Sequence, residues 1–494
     1  MRFDRALRDG ILRSAAATAV AAALAGCSLM PRERPTPGAL PASWVDAPEG
    51  AADPASLTDW WRGFEDPLLD QLVAEALESG GSVRTAALRV REARAVSYST
   101  IANFLPQVDG FGRGDYSQAL DGPELPRADQ TGVEAEQLIG RYGAQVSWEI
   151  PLFSRLNAAA AGARANTRAA LADLRGAQVA LAADVAEAYV ALRAAQQSRA
   201  ALSEAVDFSD QLATIVETSA GAGFASPADA ADARRQAESN RARLPDLEIE
   251  ARRAERVLAV LRGIAPGTED EATGAALAAM GEVPSLDITA APPAPADLVR
   301  RRPDVAQAEA LALLRAADLG VARSDLLPRI NLTGAITVSD NVTGGALIER
   351  SSGVSLTPFI SMPLFDWGTR LAEVRARDSR FEQSLIQYRD TVNGAVQEAA
   401  NALTALDQGV KRLEAARRAE AAAEISAQGA RAAHEAGIQS LADRLRVEQL
   451  LIDARLARID AEAAQARAAI GVYRAFGGGP GDESGDALEE AARP

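Results

Sequence analysis

Several residue types are nearly missing from this 494-residue chain, and each shortage closes off a class of function. There is one cysteine, Cys27, so no disulfide can form within a chain and no thiolate metal cage can be built. There is one histidine, His434, which leaves no Cys/His metal spacing and gives the serines no general base to pair with. A lone histidine of this kind reads as an inert helix-surface residue. No Gly-rich phosphate loop is present either, so the chain does not read as an enzyme. Aromatic residues make up 4% of the chain against 48% hydrophobic residues. Much of the apolar content is alanine, which suits close helix packing better than a bulky globular core. Of the 52 basic residues only Lys411 is a lysine, and the net charge of −16 argues against nucleic acid as a partner.

The N-terminus reads as a targeting segment. Arg2, Arg5, Arg8 and Arg13 precede a short apolar run from Ser14 to Ala25, too short to span a bilayer permanently. It ends Leu24-Ala25-Gly26-Cys27, which resembles the bacterial lipobox. That resemblance implies cleavage after residue 26 and a covalent lipid on Cys27, with no other cofactor. Ser28, as a non-Asp residue, implies sorting to the outer membrane. Losing residues 1–26, with four Arg and two Asp, takes the net charge from −16 to −18.

The most informative feature occurs twice. Pro151-Leu152-Phe153 and Pro363-Leu364-Phe365 each open about 70 residues of Ala/Arg/Glu-rich helical sequence. Each stretch closes on Gly-x-x-Ser-x-x-Asp, at Gly223/Ser226/Asp229 and Gly437/Ser440/Asp443. The offsets are 212 and 214 residues. A helix of that length is roughly 105 Å long, so a long object is expected.

In chain order, residues 27–66 read as lipid anchor and extended, Pro/Gly/Ala-rich tether. Asp66-Pro67 starts a helix that breaks at Gly80-Gly81, and Ser82 is expected to cap the next, to about Asn103. Strict period-two alternation predicts a strand at about 141–150, with 107–117, which carries glycines at 110, 112 and 114, as its weaker partner. Alternation predicts two further strands at about 329–339 and 353–362, with Pro358 weighing against a central place for the last. The loop 118–140 is long, polar and acidic. Long helices are expected over 154–221 and 367–435, with returns over 227–262 and 441–475. A Gly/Pro-rich insert, 263–295, precedes a helix over 296–326. The first repeat is therefore 67–262, the second 296–476, and 477–494 is an acidic tail. The irregular segments are expected to meet at one level.

Strands of about ten residues span a bilayer when tilted. A membrane sheet cannot leave an edge unpaired, and the smallest outer-membrane barrels have about eight strands. Four strands would therefore have to share a barrel with other chains. A small soluble sheet capping a helical rod is the reading that needs no membrane. Val392, Val396, Ala399, Leu403, Leu406, Val410 and Leu413 alternate by four and three, the spacing of coiled-coil packing. Their expected counterparts lie 211 residues earlier, where only Arg199 breaks the apolar set.

From Trp60 to about Phe476 the chain resembles the TolC superfamily of outer-membrane efflux proteins, in its lipoprotein branch (OprM-like, NodT-type). The resemblance rests on Trp60-Trp61 through Asp66-Pro67, the strand starts Phe104-Leu105-Pro106 and Leu326-Leu327-Pro328, Leu332-Thr333-Gly334, both Pro-Leu-Phe turns, both Gly-x-x-Ser tips, and Arg301-Arg302-Pro303-Asp304. It implies a mainly α fold with a membrane β-barrel portion, internally duplicated. Three chains would share a twelve-stranded barrel above a long antiparallel coiled-coil α-helical barrel in the periplasm. It also implies a homotrimer that docks a periplasmic adaptor and works with an inner-membrane pump of the resistance-nodulation-division type, as a passive conduit. Gly223, Ser226, Gly437 and Ser440 map onto the adaptor-docking tips, where a glycine also has a plain role as helix C-cap. Asp229 and Asp443 map near the constriction, where the plain alternative is a carboxylate on a helix dipole. Arg446 and Ala442 depart from the family pattern, so the gate is expected either to rest on Arg–Asp pairing or to be looser. Two rivals share these features: the outer-membrane part of an ATP-driven type I protein secretion system, and a lipid-anchored rod that transports nothing.

Overall fold

The computed structural model describes residues 29–44, 57–118, 136–286, 295, 301–343 and 346–480. Cys27 and its leader, most of the acidic loop, residues 296–300 of the expected helix and the tail beyond residue 480 lie outside the described residues. The elements run α1 (Pro67–Ser79), α2 (Gly81–Ala102), β1 (Gln107–Gln118), β2 (Glu136–Ile150), α3 (Arg155–Gly221), α4 (Pro227–Leu261), α5 (Glu271–Ala278), α6 (Pro303–Ser324), β3 (Arg329–Thr343), β4 (Ala346–Ser361), α7 (Thr369–Glu435) and α8 (Leu441–Ala475). Among the described residues no helix is long and apolar enough to cross a membrane.

The described residues fall into two compact units. The first lies within 29–36, 92–168 and 309–387, the second within 37–91, 169–308 and 388–480. Each draws on both halves of the chain.

The first unit holds an antiparallel sheet in the order β1-β2-β3-β4, so β1 and β4 are its edges within the chain, and Pro358 lies on an edge strand. Trp148 lies opposite Leu332, and Leu332 opposite Pro358. Ala144 lies opposite Ile336, and Ile336 opposite Val354. Period-two pleating therefore gathers most of the apolar residues of the four strands on one face, while Phe111, Ile139 and Phe359 fall on the other. The strands are longer than the ten residues expected: 12, 15, 15 and 16. Below the sheet, Ala312, Ala316, Leu319, Phe381 and Leu385 pack α6 on α7. A ring of ion pairs closes the β2–α3 and α6–β3 connections. Arg155 reaches Glu149 at 2.8 Å and Asp325 at 3.3 Å, and Arg329 reaches Asp325 at 2.7 Å.

The second unit has a larger core that includes Leu69, Leu72, Tyr189, Leu192 and Ile470. Asp66 caps α1 as expected, accepting from the Leu68 and Leu69 amides at 3.0 and 3.3 Å. Its second oxygen accepts from the Tyr189 hydroxyl at 2.6 Å, and Arg193 Nε donates to the same hydroxyl at 3.0 Å. Burial and the Asp66 hydrogen bond push the Tyr189 phenol up to about 12. The Arg-Pro-Asp motif acquires a clear structural role here. Buried Arg302 forks onto Asp304, reaches Glu398 at 2.6 Å and donates to the Ala475 carbonyl at 2.7 Å. It thus ties the start of α6 to α7 and to the end of α8. The irregular segments do meet: Trp60 stacks on Tyr473, Leu57 pairs with Gly479, and Leu286 joins the same core as Trp61 and Phe476.

Several expectations are corrected. Helix α2 starts at Gly81 with the Gly80 carbonyl accepting from Arg84, so Ser82 is not its cap. The insert contains a helix, α5, capped by Asp270 and held at its C-terminal carbonyls by Arg193 and Gln196. Residues 29–44 are not a free tether. In the first unit the Leu29 carbonyl accepts from Arg323 and Met30 lies against Gly320. In the second, Leu40 packs on the Val305–Tyr388 cluster and Trp44 meets Phe476 edge-on at 5.6 Å. Helices α3 and α7 both have 67 residues, α4 and α8 both 35, and both pairs are displaced by 214. The seam offset of 211 is therefore not the structural one. A shift of three carries the first apolar position of a heptad onto the second and the second off the seam, so the two long helices share only alternate seam positions. Arg199, which breaks the apolar set, is exposed, and Val410 is exposed too. Helix α4 also carries a proline, Pro245, in its interior.

Candidate functional site at the helix tips

The α3–α4 and α7–α8 connections have nearly the same build, because the same residues stop and restart each helix. Gly223 and Gly437 stand at φ +85° and +71°, a conformation that side chains with a Cβ resist. The Phe224 amide donates to Ser219 O at 2.8 Å, and the Ile438 amide to Ala433 O at 2.9 Å. Each satisfies a carbonyl orphaned by the helix end. Ser226 then caps α4: its Oγ accepts from the Asp229 amide at 3.1 Å, and its own amide donates to Asp229 Oδ2 at 3.3 Å. Ser440 Oγ accepts from the Asp443 amide at 3.2 Å and donates to Asp443 Oδ2 at 2.6 Å.

The plain roles named for the glycines and aspartates are thus all realised. Asp229 and Asp443 sit in the first turns of α4 and α8, engaged in caps. Arg446 does pair with Asp443, at 3.3 Å, but within α8 itself. The pair ties no second element, and Arg446 is 78% exposed. His434 is not idle, since its Nδ1 lies 3.1 Å from the Gln439 carbonyl and closes the second turn.

The two hairpins lie side by side in the second unit. Leu441 and Leu445 pack on Ala213, Val216, Ala233 and Ala237. Gln449 Oε1 accepts from Gln236 at 2.8 Å and from buried Asn240 at 3.1 Å, joining α8 to α4. The Arg444 guanidinium lies over the Phe208 ring at 5.5 Å, joining α8 to α3. Buried Glu448 is held by both arms of Arg431, joining α8 to α7. Between the hairpins runs a groove of about 910 Å³, with Ile215, Phe224, Leu441 and Leu450 on its apolar side and Asp232 and Arg235 on its polar side.

Sequence reading missed two sets of residues. Phe224 and Ile438 follow the tip glycines and are 89% and 83% exposed among the described residues. The signal was present, as a large apolar residue at the same place in both turns. The Gln236–Asn240–Gln449 link had only a weak signal, as polar residues on otherwise apolar helix faces.

The outer membrane efflux protein model matches residues 72–263 and 294–478, about three quarters of the chain. The outer membrane protein OprJ of Pseudomonas aeruginosa is 28% identical over 93% of this chain and 94% of its own length. The cation efflux system protein CusC of Escherichia coli is 28% identical over 93% of this chain and 97% of its own. The solved outer-membrane channel OprN superposes with a TM-score of 0.80 at 28% identity, covering 92% of this chain and 99% of that one. The mainly helical fold with its small sheet is the fold of these channels. The chain belongs to the outer membrane efflux protein family and is an efflux component of the outer membrane.

Proposed function

We propose that the chain is the outer-membrane conduit of a tripartite efflux system and exports small molecules, such as drugs or other toxic amphiphiles. Three copies of the internally duplicated chain share one twelve-stranded barrel, and their helices continue it as a coiled-coil tube through the periplasm. The observation that carries this is the sheet: four strands with one continuous apolar face and two open edges. Such a sheet is stable in a bilayer only if other copies close it. Cys27 carries a covalent lipid in this reading, which puts the helices on the periplasmic side.

The tips dock a periplasmic adaptor linked to a proton-driven pump of the resistance-nodulation-division type. Gly223, Ser226, Gly437 and Ser440 shape the turns, and exposed Phe224 and Ile438 supply the contact area. Repeated by threefold symmetry, Asp229 and Asp443 form rings of negative charge that attract cations, and Arg446 neutralises part of the second ring. The conduit does no chemistry.

The test is in-cell photo-crosslinking from residues 224, 226, 438 and 440, with mass spectrometry of the captured protein. Capture of an adaptor whose pump is proton-driven is the expected result. No capture at any of the four positions, or capture of an adaptor of an ATP-driven secretion system, would overturn the reading.

A further inference from the structure

The structure specifies how the sheet of one copy joins the next, and the displacement between its two halves supplies the register. Within the chain, pairing starts at Gln107 opposite Ser147 in the first hairpin and at Arg329 opposite Ser361 in the second. Positions in β1 and β3 therefore correspond at a displacement of 222, and positions in β2 and β4 at 214, the displacement of the long helices. Past Ser147, β2 runs on for three residues that pair only with β3: Trp148 opposite Leu332 and Ile150 opposite Ile330. The same places after β4 are Met362, Pro363 and Leu364. Among the described residues they have no partner strand, and Met362 and Leu364 are 59% and 86% exposed.

We propose that these residues extend β4 along β1 of a second copy, in the register that β2 keeps with β3. Leu364 then lies opposite Val108 of the neighbouring copy, Met362 opposite Gly110, Ile360 opposite Gly112, and Ser355 opposite Ser117. The inference rests on the shared-barrel reading above and deepens it. Three observations support the occupant and the register. The face of β4 that carries Val354, Leu356, Ile360 and Met362 continues into the face of β1 that carries Val108 and Tyr116, as a continuous bilayer-facing surface needs. A Cβ at Gly112 or Gly114 would meet nothing within 4 Å in its own chain. Those glycines thus leave room for something outside it, here Ile360 and Pro358 of the neighbour. Finally, the ion-pair ring at the β2–β3 seam has no counterpart at the new one. Glu149, Arg155, Asp325 and Arg329 correspond to Pro363, Thr369, Asn103 and Gln107, all uncharged. The seam between copies is instead supplied with exposed Leu364, Phe365 and Trp367, the last two packed edge-on at 4.9 Å. It is an apolar, salt-insensitive junction alternating with a charged one.

The rival register comes from matching Pro-Leu-Phe to Pro-Leu-Phe at 212, which moves every pair by two residues and sets Ser355 opposite Asp115. Disulfide formation separates the two, because directly opposed residues lie about 4.5–5.5 Å apart at Cα and diagonal ones about 7–8 Å, beyond bridging. The full chain with Cys27 retained is made as Ser117→Cys/Ser355→Cys and as Asp115→Cys/Ser355→Cys, alongside each single substitution. All are oxidised in the outer membrane, and native mass is measured in detergent under reducing conditions. Strands β1 and β4 are opposite edges of one sheet, so any bridge joins two copies. The expected result is covalent dimers and trimers from the Ser117 pair, background from the Asp115 pair and the singles, and a three-copy mass for all. Bridging by the Asp115 pair, or by neither pair in a three-copy assembly, overturns the register and leaves the shared barrel standing. A single-copy mass with no bridging overturns the shared barrel, and the register with it.

Discussion

Helices α3 and α7 are equal in length and hold equivalent places in the two halves, yet their surroundings differ. Among the described residues α3 exposes one large aliphatic side chain, Ile215, whereas α7 exposes Leu371, Ile386, Val410 and Ile425. Spacings of 15, 24 and 15 residues keep those four on one side of the helix at about 100° per residue. Helix α3 is therefore enclosed by its own chain, and α7 is finished on one side only. The same contrast separates the two sheet seams, one closed within the chain by ion pairs and one left open and apolar. Both are what the proposed shared barrel requires.

Substitution at the enclosed helix should have the greatest effect. Leu192→Ala on α3 should cost about 2–5 kcal/mol in denaturant unfolding, because the site is fully buried. A cost near zero would mean that α3 is not interior. Next comes Tyr189→Phe, which leaves Asp66 and Arg193 without their shared hydroxyl, and a loss of about 1–3 kcal/mol is expected in the same assay. Ser226→Ala should cost about 1 kcal/mol, and more than Ser440→Ala, since only Ser226 has its amide bonded back by the aspartate. Equal losses would remove that distinction between the tips. The smallest effects are expected at exposed positions. Ile386→Ala and Arg446→Ala should each change the stability of the chain by no more than about 0.5 kcal/mol. Only Ile386→Ala should lower the detergent concentration at which copies dissociate.

Much of this fold was legible in the sequence. Period two marked β2, β3 and β4, the Gly-x-x-Ser motif marked both helical hairpins, and the Trp60–Trp61 and Asp66-Pro67 signals held. The strand ends were not legible, for a physical reason. The ladder continues through rows where Arg350 meets Asp340 and where Arg113 and Arg141 meet Asp115, so charge pairing across strands replaces apolar alternation there. Composition also made residues 29–44 look like a tether, although Met30, Leu40 and Trp44 fasten them. At the tips the turn chemistry could be read from Gly-x-x-Ser-x-x-Asp. The Gln236–Asn240–Gln449 link could not, since it joins residues more than 200 positions apart.

A conduit for small molecules that works through its tips is tested most directly by the accumulation of an amphiphilic dye in cells lacking the chain, then resupplied with the wild type or with Phe224→Asp/Ile438→Asp. Removal should raise accumulation and the wild type should restore it. The tip variant should reach the outer membrane in equal amount and fail to restore it. Restoration by the tip variant as complete as by the wild type, or accumulation unchanged by removal, would rule out a conduit that works through these tips.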